Sequence, residues 1–219
     1  PEKSKILPND RYLIRKAQYL QEVGNELSGE LDEDPAPQVN NVFVTDDPEY
    51  VAGYERAGSG ISIDKQKSWN DHYEAFRNWK KFIESKNIMV FQFSFEERNI
   101  RGFVLKEMKP YVIVLNSTSK EHISARIFTL LHEYAHILLQ ESQSALCYPG
   151  YAPIKGDNKE ADMERWCDSF AGCFLMPGDP LLSDFSSDPS YEHIRLLHNK
   201  YRVGNPAVLT RLYISGVIA

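Results

Sequence analysis

His132-Glu133-Tyr134-Ala135-His136 is the stretch on which the reading of this chain turns. Apolar residues flank it, Ile127-Phe128-Thr129-Leu130-Leu131 before and Ile137-Leu138-Leu139 after. Residues 119–140 contain no Gly or Pro, so the stretch predicts one long buried helix. Residues four apart on a helix share a face, one turn above each other. His132 and His136 therefore point the same way, with Glu133 beside them. Two imidazoles and an adjacent carboxylate are the donor types that hold a catalytic zinc and supply its general base.

Such a site needs a third protein ligand, with water in the fourth position. A second helix, predicted from about 159 to 176, stops at Met176-Pro177-Gly178-Asp179-Pro180 and carries Glu160, Asp162, Glu164 and Asp168. Glu164 is the best candidate, because Asp168 follows one turn later on the same face. Metal-bound histidines usually give their second N–H to a carboxylate or carbonyl, so Glu164 on the metal and Asp168 behind a histidine would fill both roles. Glu160, one turn earlier, is the alternative ligand; Asp162 points away. Ala171 and Gly172 are small enough to let the two helices approach closely.

The competing explanation is a pair of ordinary core histidines. A single His would favour it; two at ligand spacing, with an acidic helix downstream, do not. A structural zinc fits less well, because no Cys-x-x-Cys pair exists. Cys147, Cys167 and Cys173 read as small apolar residues, although Cys147 lies in the loop between the ligand helices and could approach the open position.

The 219 residues can bury a substantial core, and 42% hydrophobic with 26% charged residues is ordinary for a globular protein. A net charge of −6 argues against a general nucleic-acid binder, which needs clustered Lys and Arg. Three cysteines make no disulfide framework and suit a reducing, cytoplasmic setting. No apolar run is long enough to span a membrane.

The expected fold is α+β: mostly helical, with a small antiparallel three-stranded sheet packed on the His-bearing helix and a short helical C-terminal segment. Residues 10–31 predict an amphipathic helix with Asp10 as its N-cap, and the acidic, Pro-containing stretch 32–37 ends it. Together these make an N-terminal unit, 1–37. The zinc domain follows at 38–180. Thr45-Asp46-Asp47-Pro48 starts a helix that runs to Ala57. Another begins near Trp69, with an aromatic stripe that reads as core and His72 at its rim. Strands are expected at 88–93, 101–105 and 111–115, with a turn at 106–110. Ser117-Thr118-Ser119 supplies caps for the long helix. The C-terminal segment, 181–219, holds two short helices around Tyr201-Arg202-Val203-Gly204-Asn205. The pair could be a helix-turn-helix with a modest basic set (Arg195, Lys200, Arg202, Arg211), but a pair that closes the domain is the better reading.

Two blocks of the sequence resemble the ImmA/IrrE family of bacterial metallopeptidases. One is Arg126-x-Phe128-Thr129-Leu130-x-His132-Glu133-x-x-His136-x-Leu138-Leu139. The other is Glu164-x-x-Cys167-Asp168-x-Phe170-Ala171-x-x-Phe174-Leu175-Met176-Pro177, with Cys167-Asp168 where the family has Ala-Asn. The resemblance covers about 70–215. It implies a zinc endopeptidase holding one Zn2+ per chain through His132, His136 and Glu164, with Glu133 as general base. It also implies a helix-turn-helix repressor as protein substrate, cleaved to switch on gene expression, as in a stress response. No membrane partner is expected, and direct nucleic-acid binding is not expected for this chain alone. Tyr148, Tyr151, His193, His198 and Tyr201 are candidates to stabilise an oxyanion. Two rival readings stay open: a regulatory protein that grips a repressor or DNA with a silent zinc site, and a zinc hydrolase of small amides.

Overall fold

A computed structural model describes residues 7–97, 100–118, 122–139, 158–185 and 190–218. In chain order the elements are α1 (Pro8–Glu30), α2 (Pro48–Gly58), α3 (Ile63–Lys67), α4 (His72–Glu84), β1 (Ile88–Phe93), β2 (Gly102–Leu105), β3 (Tyr111–Asn116), α5 (Ile123–Leu138), α6 (Asn158–Leu175), α7 (Gly178–Asp184), α8 (Tyr191–Tyr201) and α9 (Asn205–Ile214). The fold class is α+β, mostly helical, as expected.

The sheet is mixed rather than antiparallel. Its order is β1-β3-β2. The chain leaves β1, crosses to the far edge to form β2, and returns through a tight turn into the gap. The hairpin makes β3 antiparallel to β2, and insertion of β3 beside β1 makes that pair parallel. Both faces of the sheet are covered, which is why β3 reads as a continuous apolar run with no alternation. Val90, Val104, Ile113 and Leu115 face α4 and α5. Phe103, Leu105, Val112 and Val114 face α1, where Ala17 is fully buried.

Local chemistry explains most helix starts. Asp47 accepts the Glu49 amide ahead of Pro48. Asp71 accepts the Glu74 amide at 2.7 Å, and the Glu74 carboxylate reaches back to the Asn70 amide at 2.7 Å, so α4 begins at His72 and leaves Trp69 outside it. Tyr73 is exposed, and the buried stripe consists of Ala75, Phe76, Trp79, Phe82 and Ile83. Two expected caps differ. Asp10 sits inside α1, and its two oxygens accept the Glu96 and Glu97 amides at 2.9 Å each. The cap of α5 is His122, whose Nδ1 accepts the Ser124 amide, while Thr118 donates its own amide to Asn116.

Gln21 of α1 donates to the Leu105, Met108 and Pro110 carbonyls and so secures the hairpin turn. Gly24 allows this approach, since a Cβ there would lie 2.8 Å from Met89 Sδ.

The C-terminal pair closes the core. Ile194, Leu197, Tyr201, Val203, Val208 and Leu212 are all buried. Arg202, in left-handed backbone at φ 59°, makes the turn between α8 and α9 and donates to the Trp69 carbonyl. Arg211 is buried against Glu49 and the Met176 carbonyl. Two of the four basic residues expected on this pair are therefore engaged inside the fold. The unexpected α7 ends at Asp184, which meets Lys67 of α3 at 2.7 Å, and Lys200 at 2.6 Å and the Tyr201 hydroxyl at 2.7 Å on α8.

Desolvation acts to raise the Asp184 pKa, but Lys200, Lys67 and Tyr201 outweigh it and bring it from 3.8 to about 2. The depressed folded-state value means that this cluster stabilises the fold fully above the ordinary carboxylate range and loses its effect as pH falls toward about 2. Asp184→Asn should therefore lower Tm at pH 6, and the gap to the unsubstituted protein should close as thermal unfolding is followed down to pH 2.5.

Candidate metal centre

Helix α5 is buried along almost its whole length, and His132, Glu133 and His136 have at most 3% exposure. The sequence allows this burial because the residues around them are Leu, Ile, Tyr and Ala. The four-residue spacing brings the two rings together edge-on, with centroids 4.9 Å apart and planes at 68°. Their Nε2 atoms lie 3.2 Å apart.

Helix α6 brings the third group. Glu164 Oε1 lies 3.3 Å from His136 Nε2, and Oε2 lies 3.4 Å from His132 Nε2. Asp168, one turn on, meets the opposite ring nitrogen, His132 Nδ1, at 2.8 Å. Donation from Nδ1 to Asp168 leaves Nε2 facing the cluster with its lone pair. Glu160 is exposed, and Asp162 pairs with Arg165 on the outside of α6. Among the described residues, His132, His136 and Glu164 are the group whose donor atoms could share one ion.

The spacing fits zinc. Donors about 2.0–2.2 Å from a tetrahedral ion sit roughly 3.3–3.5 Å from each other. The two Nε2 atoms, 3.2 Å apart, lie close to one such edge, and the Glu164 carboxylate spans the pair, meeting His136 through Oε1 at 3.3 Å and His132 through Oε2 at 3.4 Å. Two nitrogens and a carboxylate oxygen are also the donor types of a catalytic zinc site with one open position.

Electrostatics agrees with the geometry. Burial acts to lower the His132 pKa, but the hydrogen bonds to Asp168 and Glu164 and the charge of Glu133 raise it to about 10. Burial lowers that of His136, with the neighbouring His132 adding to the effect. The Glu164 carboxyl resists its own desolvation because both histidines hydrogen-bond it, and it stays well below the usual range.

Glu133 is fully buried beside the pair, and β2 runs directly over it. A Cβ at Gly102 would come within 2.9 Å of both Glu133 Oε1 and Thr129 Cγ2. Only a glycine lets the strand pass this close without moving the carboxylate. Further along the hairpin, Lys106 Nζ donates to the His136 and Leu139 carbonyls at 2.9 Å each, placing a cation at the end of α5 where the helix dipole favours one. Tyr134 turns to the other side and donates to Glu55 at 2.7 Å.

The reading of the sequence missed Gly102 and Lys106. An isolated Gly in a strand pattern is a recognised mark of close backbone approach; Lys106 carries no such signal. Of the oxyanion candidates, Tyr201 is buried against Asp184 and His193 packs on Phe185, while His198 lines the cleft that leads to His132. Tyr148, Tyr151 and Cys147 lie outside the described residues. Cys167 and Cys173 are buried, and desolvation raises both thiols, Cys173 to about 12.

Residues 83–213, more than half the chain, match the peptidase family M78 described as the IrrE N-terminal-like domain. This chain belongs to that family. The match takes in β1–β3, both ligand helices and nearly all of the C-terminal pair, so it spans every residue of the site. It is a peptidase of the metallopeptidase type, and its family implies a protein substrate. No curated protein matches the chain. No helix among the described residues is long and apolar enough to cross a membrane.

If Asp168 orients His132, Asp168→Ala should weaken zinc binding about 10- to 100-fold. Competition against a chromogenic chelator would measure this, and circular dichroism would check that the fold is kept.

Proposed function

We propose that this chain is a zinc-dependent endopeptidase that cleaves a helix-turn-helix type transcriptional repressor and so switches on gene expression, as in a stress response in the cytoplasm. The observation that carries the proposal is the convergence of His132, His136 and Glu164 from two helices, with one donor atom of each within 4.8 Å of the others and a buried carboxylate, Glu133, alongside. The repressor as substrate rests on the resemblance to the ImmA/IrrE peptidases.

In this reading His132, His136 and Glu164 hold one Zn2+, and Asp168 fixes the tautomer and orientation of His132. When bound, the ion acidifies water to a pKa of about 7 and polarises the scissile carbonyl. Glu133 takes the proton of the attacking water and returns it to the leaving amine. Its burial suits the task, because a carboxylate with little water around it is a stronger base. The missing side chain at Gly102 leaves that carboxylate room beneath β2. The strand it belongs to, β2, is at the edge of the sheet. Addition of an extended substrate to that edge would hold its main chain beside the metal by strand pairing.

Glu133→Ala should keep zinc at one ion per chain and keep the fold, yet lose cleavage of the repressor encoded nearby. Metal analysis and gel electrophoresis of the incubated repressor would show both; undiminished cleavage would remove Glu133 from its role. Gly102→Ala should retain the metal and reduce turnover about a hundredfold, since small displacements of a catalytic group have that effect. Steady-state kinetics at saturating zinc would check it.

A further inference from the structure

One cleft of about 900 Å³ extends from the metal centre along α5 and under the C-terminal pair. His132 and Asp168 line one end; His122, Arg195 and His198 line the other, with Ala125 and Phe128 between. The charges are uneven. The ionised side chains lining it are Asp168, at the metal end, and Arg101, Arg195 and Arg211. Arg211 is neutralised by Glu49. Arg195 is exposed and makes no ion pair among the described residues.

One more ring and one arginine stand behind this end. The His72 ring packs on His198 at 4.7 Å and on His122 at 5.9 Å. After desolvation, the nearby His198, Arg202 and His122 hold the His72 pKa down at about 4. His198 is lowered too, first by desolvation and then by His122, Arg202 and Arg195. The cations at this end are Arg195, which lines the cleft, and Arg202 behind the histidines.

We propose that the end of the cleft formed by His122, Arg195 and His198 is a subsite for a carboxylate side chain, Asp or Glu, of the peptide substrate. The inference rests on the endopeptidase reading for the identity of the ligand. The distance from the metal centre sets the position. His122 precedes His132 by ten residues, which is about 15 Å along a helix at 1.5 Å per residue. An extended peptide covers that length in about four or five residues at 3.3 Å each. The acidic residue therefore lies four or five positions from the scissile bond, and Arg195 meets it with its guanidinium.

The test uses full-length Glu133→Ala, which binds without turnover, and fluorescein-labelled decapeptides of otherwise random sequence with one fixed Glu, Gln or Lys at each position in turn. Fluorescence polarisation should show Glu peptides binding about tenfold tighter than Gln peptides when the fixed residue lies toward one end, as expected for a charge-assisted hydrogen bond. Adding Arg195→Glu, or the milder Arg195→Gln, should abolish that ratio, whereas Arg15→Glu, an equal charge change on the exposed face of α1, should preserve it. Equal binding of Glu and Gln peptides, or a ratio that survives both Arg195 substitutions, overturns the subsite. Cleavage of the same peptides by the zinc-loaded unsubstituted chain is scored separately. A charge preference in binding without cleavage leaves the subsite standing and removes the endopeptidase reading; cleavage at a position unrelated to Glu does the reverse.

Discussion

The fold depends on burying almost all of α5, polar side chains included, under the elements packed around it. An unpaired polar or charged group in a dry interior costs several kcal/mol, about as much as a small domain's whole stability margin. His132, Glu133, Tyr134 and His136 all lie on this helix and all are buried. Three elements meet them. Asp168 and Glu164 come from α6, Glu55 comes from α2, and β2 comes down over Glu133. The surrounding elements can be understood as the set required to meet these groups at once.

This arrangement explains how much could be read in advance. A local period fixes which residues of one helix share a face, so the relation of His132, Glu133 and His136 to one another follows from spacing, as does that of Glu164 to Asp168. Opposite-charge chemistry then brings the two faces together. Relations between elements distant in sequence have no such periodic trace. The parallel pairing of β1 with β3 follows from the order in which strands enter the sheet, and nothing in their composition records it. Asp10 has the residue type of a cap, but here its carboxylate is used on two amides 86 and 87 residues away. His122 takes the cap of α5 from the serines and threonine that precede it, because its ring nitrogen reaches the Ser124 amide.

The C-terminal pair belongs to the same logic. Its buried residues cover the core, and two of its arginines are used against backbone carbonyls and Glu49. Of the rest, Arg195 and His198 line the cleft, beside His122 at the cap of α5. Charge that would otherwise suggest a nucleic-acid surface is turned toward the place where a peptide would lie.

The C-terminal end of α6 shows how finely this arrangement must be held. Arg56, Gln66 and Arg211, from α2, α3 and α9, each donate to one of the three successive carbonyls of Phe174, Leu175 and Met176. Glu164 lies ten residues back from the first of these, about 15 Å along the rod. At that lever length a tilt of only about 2° moves a side chain by about 0.5 Å, roughly the tolerance within which a site of this kind must be held. Three anchors that share one helix end therefore act as an angular clamp. The geometric tolerance of the donor set is fixed by residues that never approach it, and α3 and α9 are part of the site's mechanical frame.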